Sequence, residues 1–230
     1  MIYITGDTHG QIDFSKLLST KLMDLTENDY VIICGDCGVL FFLDEMNEMI
    51  DMYSSLPFTV LFVDGNHENF DLLNSFPIEE WNGGKVHRLS NTLIHLMRGQ
   101  VFQIEGSTFF TFGGGLSIDK EFREPGISWW PDEMPTDEEI EEGLKNLARY
   151  DNKVDFVLTH DCPTSLEKLV SLYTWKQIQH AKSNEALEKC KEGLSFMHWY
   201  FGHYHFDRRL SEKYTCLYKN ILRILPKEEI

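Results

Sequence analysis

The feature that most constrains this chain is one pattern used six times: a short apolar run that stops abruptly at glycine or a small polar residue, with a metal-ligating or small residue behind it. Ile2 to Ile4 meets Gly6-Asp7, Val31 to Cys34 meets Gly35-Asp36, and Val60 to Val63 meets Gly65-Asn66-His67. Phe109 to Phe112 meets Gly113 to Gly115, Phe156 to Leu158 meets Thr159-His160, and Met197 to Phe201 meets Gly202-His203. Runs this short, rich in Val, Ile and Phe and closed by turn residues, read as buried strands. Amphipathic helices are expected between them. Asp13 is placed to cap a helix with Phe14, Leu17, Leu18, Leu22 and Leu25 on one face, and Leu43, Met46, Ile50 and Tyr53 repeat that spacing. Thr136 and Glu139 form a capping box ahead of Ile140, Leu144 and Leu147. Alternating strands and helices predict an α/β fold, parallel in at least part of its sheet, with ligands gathered at the carboxyl ends of the strands.

The 230 residues, 42% hydrophobic and 13% aromatic, suit a single globular domain over 1–230. No linker, repeat or low-complexity tract divides them, and the acidic stretch 132–142 reads as a solvated helix start. No apolar run is long enough to span a bilayer, and Met1-Ile2-Tyr3-Ile4 gives way at once to Gly6-Asp7, unlike a secretory signal, so the expected location is the cytoplasm. A formal charge of −16 argues against an extended nucleic-acid or anionic-membrane surface, though not against a small phosphate ester. The five cysteines form no disulfide framework, and Cys34-Gly35-Asp36-Cys37 reads as two buried thiols at a strand end.

Five of the nine histidines, His9, His67, His160, His203 and His205, fall just past predicted strand ends, with Asp7, Asp36 and Asn66 at equivalent places. One such histidine is usually structural; five with these companions are hard to explain as packing. Imidazole and carboxylate donors together suit Mn, Fe, Zn or Ni better than Ca or Mg. Four histidines, His87, His95, His180 and His198, fit no pattern.

In order, Gly6-Asp7-Thr8-His9-Gly10, Gly35-Asp36, Gly65-Asn66-His67-Glu68, His160 and Gly202-His203-Tyr204-His205 resemble the motif set of the calcineurin-like metallophosphoesterases. The resemblance implies two facing mixed β-sheets flanked by helices, a four-layer sandwich. It implies one divalent or mixed-valence metal ion on Asp7, His9, Asp36 and His205, and a second on Asp36, Asn66, His160 and His203, with Asp36 bridging. Manganese and iron are the expected metals, zinc or nickel the alternatives. Such a pair would clamp a phosphoryl group and acidify a bound water for in-line attack. His67 would be catalytic, stabilising or protonating the leaving oxygen, or else would only orient the site. Glu68 and Asp161 read as supports.

The protein-phosphatase branch continues its second motif with an Asp-Arg pair, and Val39-Leu40 stands there instead. That departure favours a small phosphate mono- or diester over a phosphoprotein. A serine/threonine protein phosphatase, a non-catalytic metal-binding scaffold and a nuclease are the alternatives. Arg123, in the long connection 113–131, is the expected substrate-binding cation, with Lys120 as its alternate. Trp129 and Trp130 either wall the pocket or pack the loop. Pro163 to Lys182, with Tyr173, Trp175 and Lys176, reads as a lid or an irregular helical connection, and Tyr218 to Leu225 as a last strand or a contact surface.

Overall fold

The computed structural model describes residues 1–174 and 178–225. Thirteen strands form two sheets: β1 (Ile2–Thr5), β2 (Tyr30–Cys34), β3 (Thr59–Val63), β4 (Ile78–Trp81), β5 (Gly84–Ser90), β6 (Leu93–Leu96), β7 (Gln100–Ile104), β8 (Ser107–Phe112), β9 (Phe156–Thr159), β10 (His198–Phe201), β11 (Arg208–Arg209), β12 (Tyr214–Cys216) and β13 (Leu222–Ile224). The first sheet runs β13-β1-β2-β3-β6-β5-β4 and the second β11-β12-β10-β9-β8-β7. In each, four central strands are parallel and the outer ones antiparallel.

Strict alternation along the central strands creates three hydrophobic layers. Ile2, Ile4, Ile32, Leu61 and Val63 meet Phe102, Phe109, Phe156 and Leu158 between the sheets. Their neighbours Tyr3, Val31, Ile33, Val60 and Phe62 face outward, under Leu17, Met49 and Tyr53. On the other side Phe110, Phe112, Val157, Trp199 and Phe201 lie under Ile140, Leu147, Ala186 and Leu187. Both faces of most central strands are therefore buried, β10 having one half-buried face at His198 and Tyr200, and the result is the expected sandwich of helices, two mixed sheets, and helices.

Helices α1 (Thr20–Met23), α2 (Met46–Ser54) and α3 (Phe70–Leu73) serve the first sheet, with α4 (Asp137–Arg149), α5 (Glu167–Thr174) and α6 (Lys182–Lys191) following later in the chain. The capping box of α4 forms as expected, Thr136 and Glu139 bonding reciprocally. The helix expected from Asp13 does not form as one piece. A 3-10 turn over Phe14–Leu18 ends at Ser19, whose extended backbone separates it from α1, and Asp13 makes no cap bond. Likewise α2 begins at Met46, leaving Leu43 exposed before it. Tyr218 to Leu225 supplies the last strand, β13, antiparallel to β1. Among the described residues no helix is long and apolar enough to cross a membrane.

Register sets the site. Thr5 lies beside Ile33, and Cys34 beside Val63, so the chain leaves β1, β2 and β3 at adjacent points. In the second sheet Thr159 lies beside both Phe112 and Phe201, which brings Gly113, His160 and Gly202 side by side. The two rows of strand ends open at the same edge of the sandwich.

Candidate metal centre

Asp7, His9, Asp36 and His205 each offer a ligand atom, and these atoms all lie within 4.8 Å of one another. Asp7 Oδ2 sits 3.1 Å from His205 Nε2 and 3.9 Å from His9 Nε2, while Asp36 Oδ2 is 3.6 Å from His9 Nε2. Beside this cluster His160 Nε2 lies 3.5 Å from Asp36 Oδ1, 3.1 Å from Asn66 Oδ1 and 3.2 Å from His203 Nδ1. Asp36 thus turns one oxygen toward each group. First-sheet loops provide Asp7, His9, Asp36 and Asn66; second-sheet loops provide His160, His203 and His205.

Three features show that the donors fit cations. Asp7 Oδ2 is buried with no hydrogen-bond partner, although two imidazoles face it. His160 donates through Nδ1 to the Cys34 carbonyl oxygen at 2.8 Å, and His9 Nδ1 meets Asp13 Oδ2 at 3.0 Å. In both rings Nε2 is left pointing into the cluster, the tautomer that an outer partner imposes on metal-binding histidines. Finally, His160 Nε2 and His203 Nδ1 face each other and the acceptor oxygen of Asn66, a convergence of lone pairs that a cation resolves.

The protonation preferences agree. Burial opposes charge on Asp36, but His160 and His9 hold its carboxyl well below the usual range. Asp7 is likewise lowered against burial, chiefly by His205 and His160. Burial also disfavours the His9 imidazolium, yet Asp36, aided by Asp13 and Asp7, pushes its pKa up to about 9. Anionic carboxylates with imidazoles that hold a proton in the cation's place are what an acid-lined metal pocket produces when empty of metal.

Backbone strain concentrates here. Of the eight non-glycine residues with positive φ among those described, four are His9 (46°), Asp36 (48°), His203 (67°) and His205 (54°). The glycines of the motifs give clearance: a Cβ on Gly65 would lie 2.0 Å from Asp36 Oδ1, and one on Gly202 2.3 Å from Asp7 Oδ1. The Asp36 carboxylate is pinned there by the His67 amide, which donates to Oδ1 at 2.8 Å, and Asp7 Oδ1 accepts from the His203 amide at 3.0 Å.

His67 stands at the side of this group, its ring 6.0 Å from that of His9. The Arg123 guanidinium runs along its edge, Nη1 3.2 Å from Nδ1 and Nη2 3.5 Å from Nε2, while Nε of Arg123 donates to Asp119 at 2.8 Å. Burial, and then the Arg123 charge, lower the pKa of His67 in spite of Asp36. Burial and the Arg123 charge thus disfavour the imidazolium form of His67, while Asp36 favours it. Lys120 lies elsewhere, over the Trp129 ring at 5.7 Å. Trp130 is buried in the outer core and donates to Asp71, so it packs the loop and does not wall the pocket. Val39 and Leu40 are buried in the same core. Glu68 is a buried support that accepts from the Cys37 amide. Asp161 accepts from the Cys162 amide, Ser183 and Tyr204. Cys34 and Cys37 are free buried thiols, as expected.

Several supporting residues carried no signal in the sequence. Asp13 orients His9 instead of capping a helix. Lys16 donates to the Gly6, Asp7 and Tyr218 carbonyl oxygens and ties the first loop to the last. Ser117 Oγ accepts from Asn66 Nδ2 at 3.1 Å, which turns Asn66 Oδ1 toward His160, and the Ser117 amide donates to buried Glu133. Two histidines without an expected role, His87 and His95, stack in a buried network in which His95 reaches Asp64 and Asp64 takes two bonds from Arg98. Of the 163–182 segment, Thr164–Leu166 is a 3-10 turn and α5 follows; Trp175 and Lys176 lie outside the described residues.

Two sheets whose strand ends converge on aspartates, an asparagine and histidines define a phosphoesterase of the metal-binding kind. Residues 1–207 match the calcineurin-like phosphoesterases, and the chain belongs to that family. No match to a curated protein accompanies this. Among solved structures, the chain is similar to phosphopantetheinyl hydrolase from Mycobacterium tuberculosis, with 16% identity over 94% of this chain and 87% of that one and a TM-score of 0.47. It is also similar to a protein of unknown function from Aquifex aeolicus, with 14% identity over 85% and 87% and a TM-score of 0.36.

Proposed function

We propose that the chain is a dinuclear metal-dependent phosphoric ester hydrolase acting on a small phosphate mono- or diester. The observation that carries this reading is Asp36, whose two oxygens belong to two neighbouring donor clusters. Asp7, His9, Asp36 and His205 would hold one cation and Asp36, Asn66, His160 and His203 the other, with manganese or iron first in expectation and zinc or nickel next. When bound, such a pair supplies positive charge to the phosphoryl oxygens and an acidified water for in-line displacement.

The chain's own residues do the rest. The His67 and His203 amides fix the two carboxylates, Asp13 and the Cys34 carbonyl set the imidazole tautomers, and Ser117 sets the Asn66 amide. Arg123 runs along the edge of His67, so the pair offers a guanidinium to a phosphate oxygen and an imidazole to the departing alcohol oxygen. Val39 and Leu40, buried where the protein-phosphatase branch carries its Asp-Arg pair, support a small substrate over a phosphoprotein, and Arg123 is the cation that could grip its phosphate. The test is hydrolysis of p-nitrophenyl phosphate and bis-p-nitrophenyl phosphate by metal-stripped protein reconstituted with manganese. Turnover that needs manganese and vanishes in Asp36→Asn is expected, and the preferred ester distinguishes monoesterase from diesterase. Manganese binding without turnover of either ester would favour the scaffold reading.

A further inference from the structure

The floor of the site opens into a cleft of about 580 Å³, enough for a ligand considerably larger than phosphate. Its two ends differ in chemistry. Asp36, Asn66, His67, His203 and His205 line the ionic end; away from it, Leu116, Ile118, Tyr173, Ile178 and Phe206 form an apolar face among the polar Asp119, Asp161, Thr174, Gln179 and Tyr204. No lysine or arginine is among the described residues of this lining, and its carboxylates, Asp119 and Asp161, are engaged by Arg123 and by Tyr204 and Ser183. The described cations beside it are Arg123, which pairs with Asp119 and runs along His67, and Arg208, whose guanidinium lies 5.1 Å from the centre of the Tyr173 ring. The rings of Tyr173 and Phe206 stand 5.8 Å apart and nearly parallel at 26°, presenting flat apolar area next to His205. Ile118 lines the cleft while 64% exposed, an apolar side chain with water where a ligand would lie.

Resting on the phosphoesterase reading above, we propose that this cleft holds the alcohol part of a single-phosphate ester, and that this part is uncharged, apolar and flat, an aryl or arylalkyl group packed against Tyr173, Phe206 and Ile118. Alcohols without a ring to pack there are then poorer substrates. The selectivity comes from apolar burial of the ring, which adds to, and is separable from, the contacts made by the phosphoryl group.

Phosphonates, which cannot turn over, remove leaving-group reactivity from the comparison. Binding of methylphosphonate, 2-aminoethylphosphonate and benzylphosphonate to manganese-loaded protein is measured by calorimetry. Benzylphosphonate is expected to bind at least tenfold more tightly than methylphosphonate, and 2-aminoethylphosphonate no more tightly. In the double variant Tyr173→Ala/Phe206→Ala the benzyl advantage should shrink to about threefold or less. Equal affinity for the benzyl and methyl compounds in the parent protein, or an advantage that survives the double variant, would overturn the proposal. Should the double variant fold poorly by circular dichroism, Ile118→Ser at its exposed position decides in the same way. If the protein holds manganese and methylphosphonate does not bind at all, the phosphoesterase reading falls first and this inference with it.

Discussion

Replacing Arg98 by alanine should destabilise the protein more than any other single change near the site that touches no candidate ligand. Arg98 is only 7% exposed and gives two bonds to Asp64, at 2.8 and 2.6 Å, where Asp64 is 1% exposed. It also reaches the Asp132 and Glu133 carbonyls and the Glu139 carboxylate, so one guanidinium joins the end of β3 to the loop before α4. Arg98→Ala leaves the Asp64 carboxylate buried with His95 alone, which costs about 3–5 kcal/mol for a broken buried pair. For a chain of this size that corresponds to a fall in Tm of roughly 6–20 °C. Arg98→Lys keeps a charge but loses the fork and should fall between the two. The pH dependence has a definite sign. Asp64 is buried, which opposes ionisation, but Arg98 and His95 hold its carboxyl far below the usual range. A depressed folded pKa contributes stability that is present above the unfolded value and is lost as pH falls. The gap between parent and Arg98→Ala should therefore be full at pH 7 and narrow below about pH 4, where the unfolded carboxyl takes up its proton. Thermal melts followed by circular dichroism at several pH values test this. A Tm within 2 °C of the parent at pH 7 would refute the reasoning.

Other outcomes follow from the same geometry. Ser117→Ala frees the Asn66 amide to rotate and should weaken manganese binding by about 10–100-fold in calorimetry, with Ser117→Thr restoring it; an unchanged affinity would remove Ser117 from the support of the site. His9 carries a proton that metal must displace, and its raised pKa of about 9 means that its charge stabilises the metal-free protein below the unfolded value near 6.5 and ceases to do so as pH passes 9. Manganese affinity should accordingly rise between those pH values, and a flat profile would contradict the assignment. Phe109→Ala, in the layer between the sheets, should cost about 3–5 kcal/mol in denaturant unfolding, because neither sheet can close the void alone.

Six of the eight central strands and the ligands were legible because they share one cause, whereas β6, interrupted by His95, and the three-residue β12 were not. A parallel strand buried on both faces must be an unbroken apolar run, and its carboxyl end must be where polar residues begin, so one pattern reveals both. The hairpins over 78–104 escaped because Ile78, Glu79 and Glu80 form an exposed edge without such a run. Asn82-Gly83, both at positive φ between Trp81 and Gly84, was the signal that could have revealed that turn. The leucine spacing after Asp13 was real, yet Leu17, Leu22 and Leu25 reach the core from a 3-10 turn, a short helix and the residue beyond, which periodicity cannot tell from one helix. Ser117 and Arg98 remained hidden for a different reason. Asn66 and Ser117 are 51 residues apart and Asp64 and Arg98 are 34 apart, separations fixed by how the sheets stack and not by any repeat.

The left-handed backbone at His9, Asp36, His203 and His205 bears on how such a chain evolves. Each residue holds a conformation that costs of order 1–3 kcal/mol outside glycine. A descendant released from the need to hold cations would gain stability by exchanging these four for glycine. Retention of imidazole and carboxylate at such angles is the mark of selection acting on chemistry against folding, and erosion toward glycine at the same four places would identify lineages in which the chemistry had been abandoned.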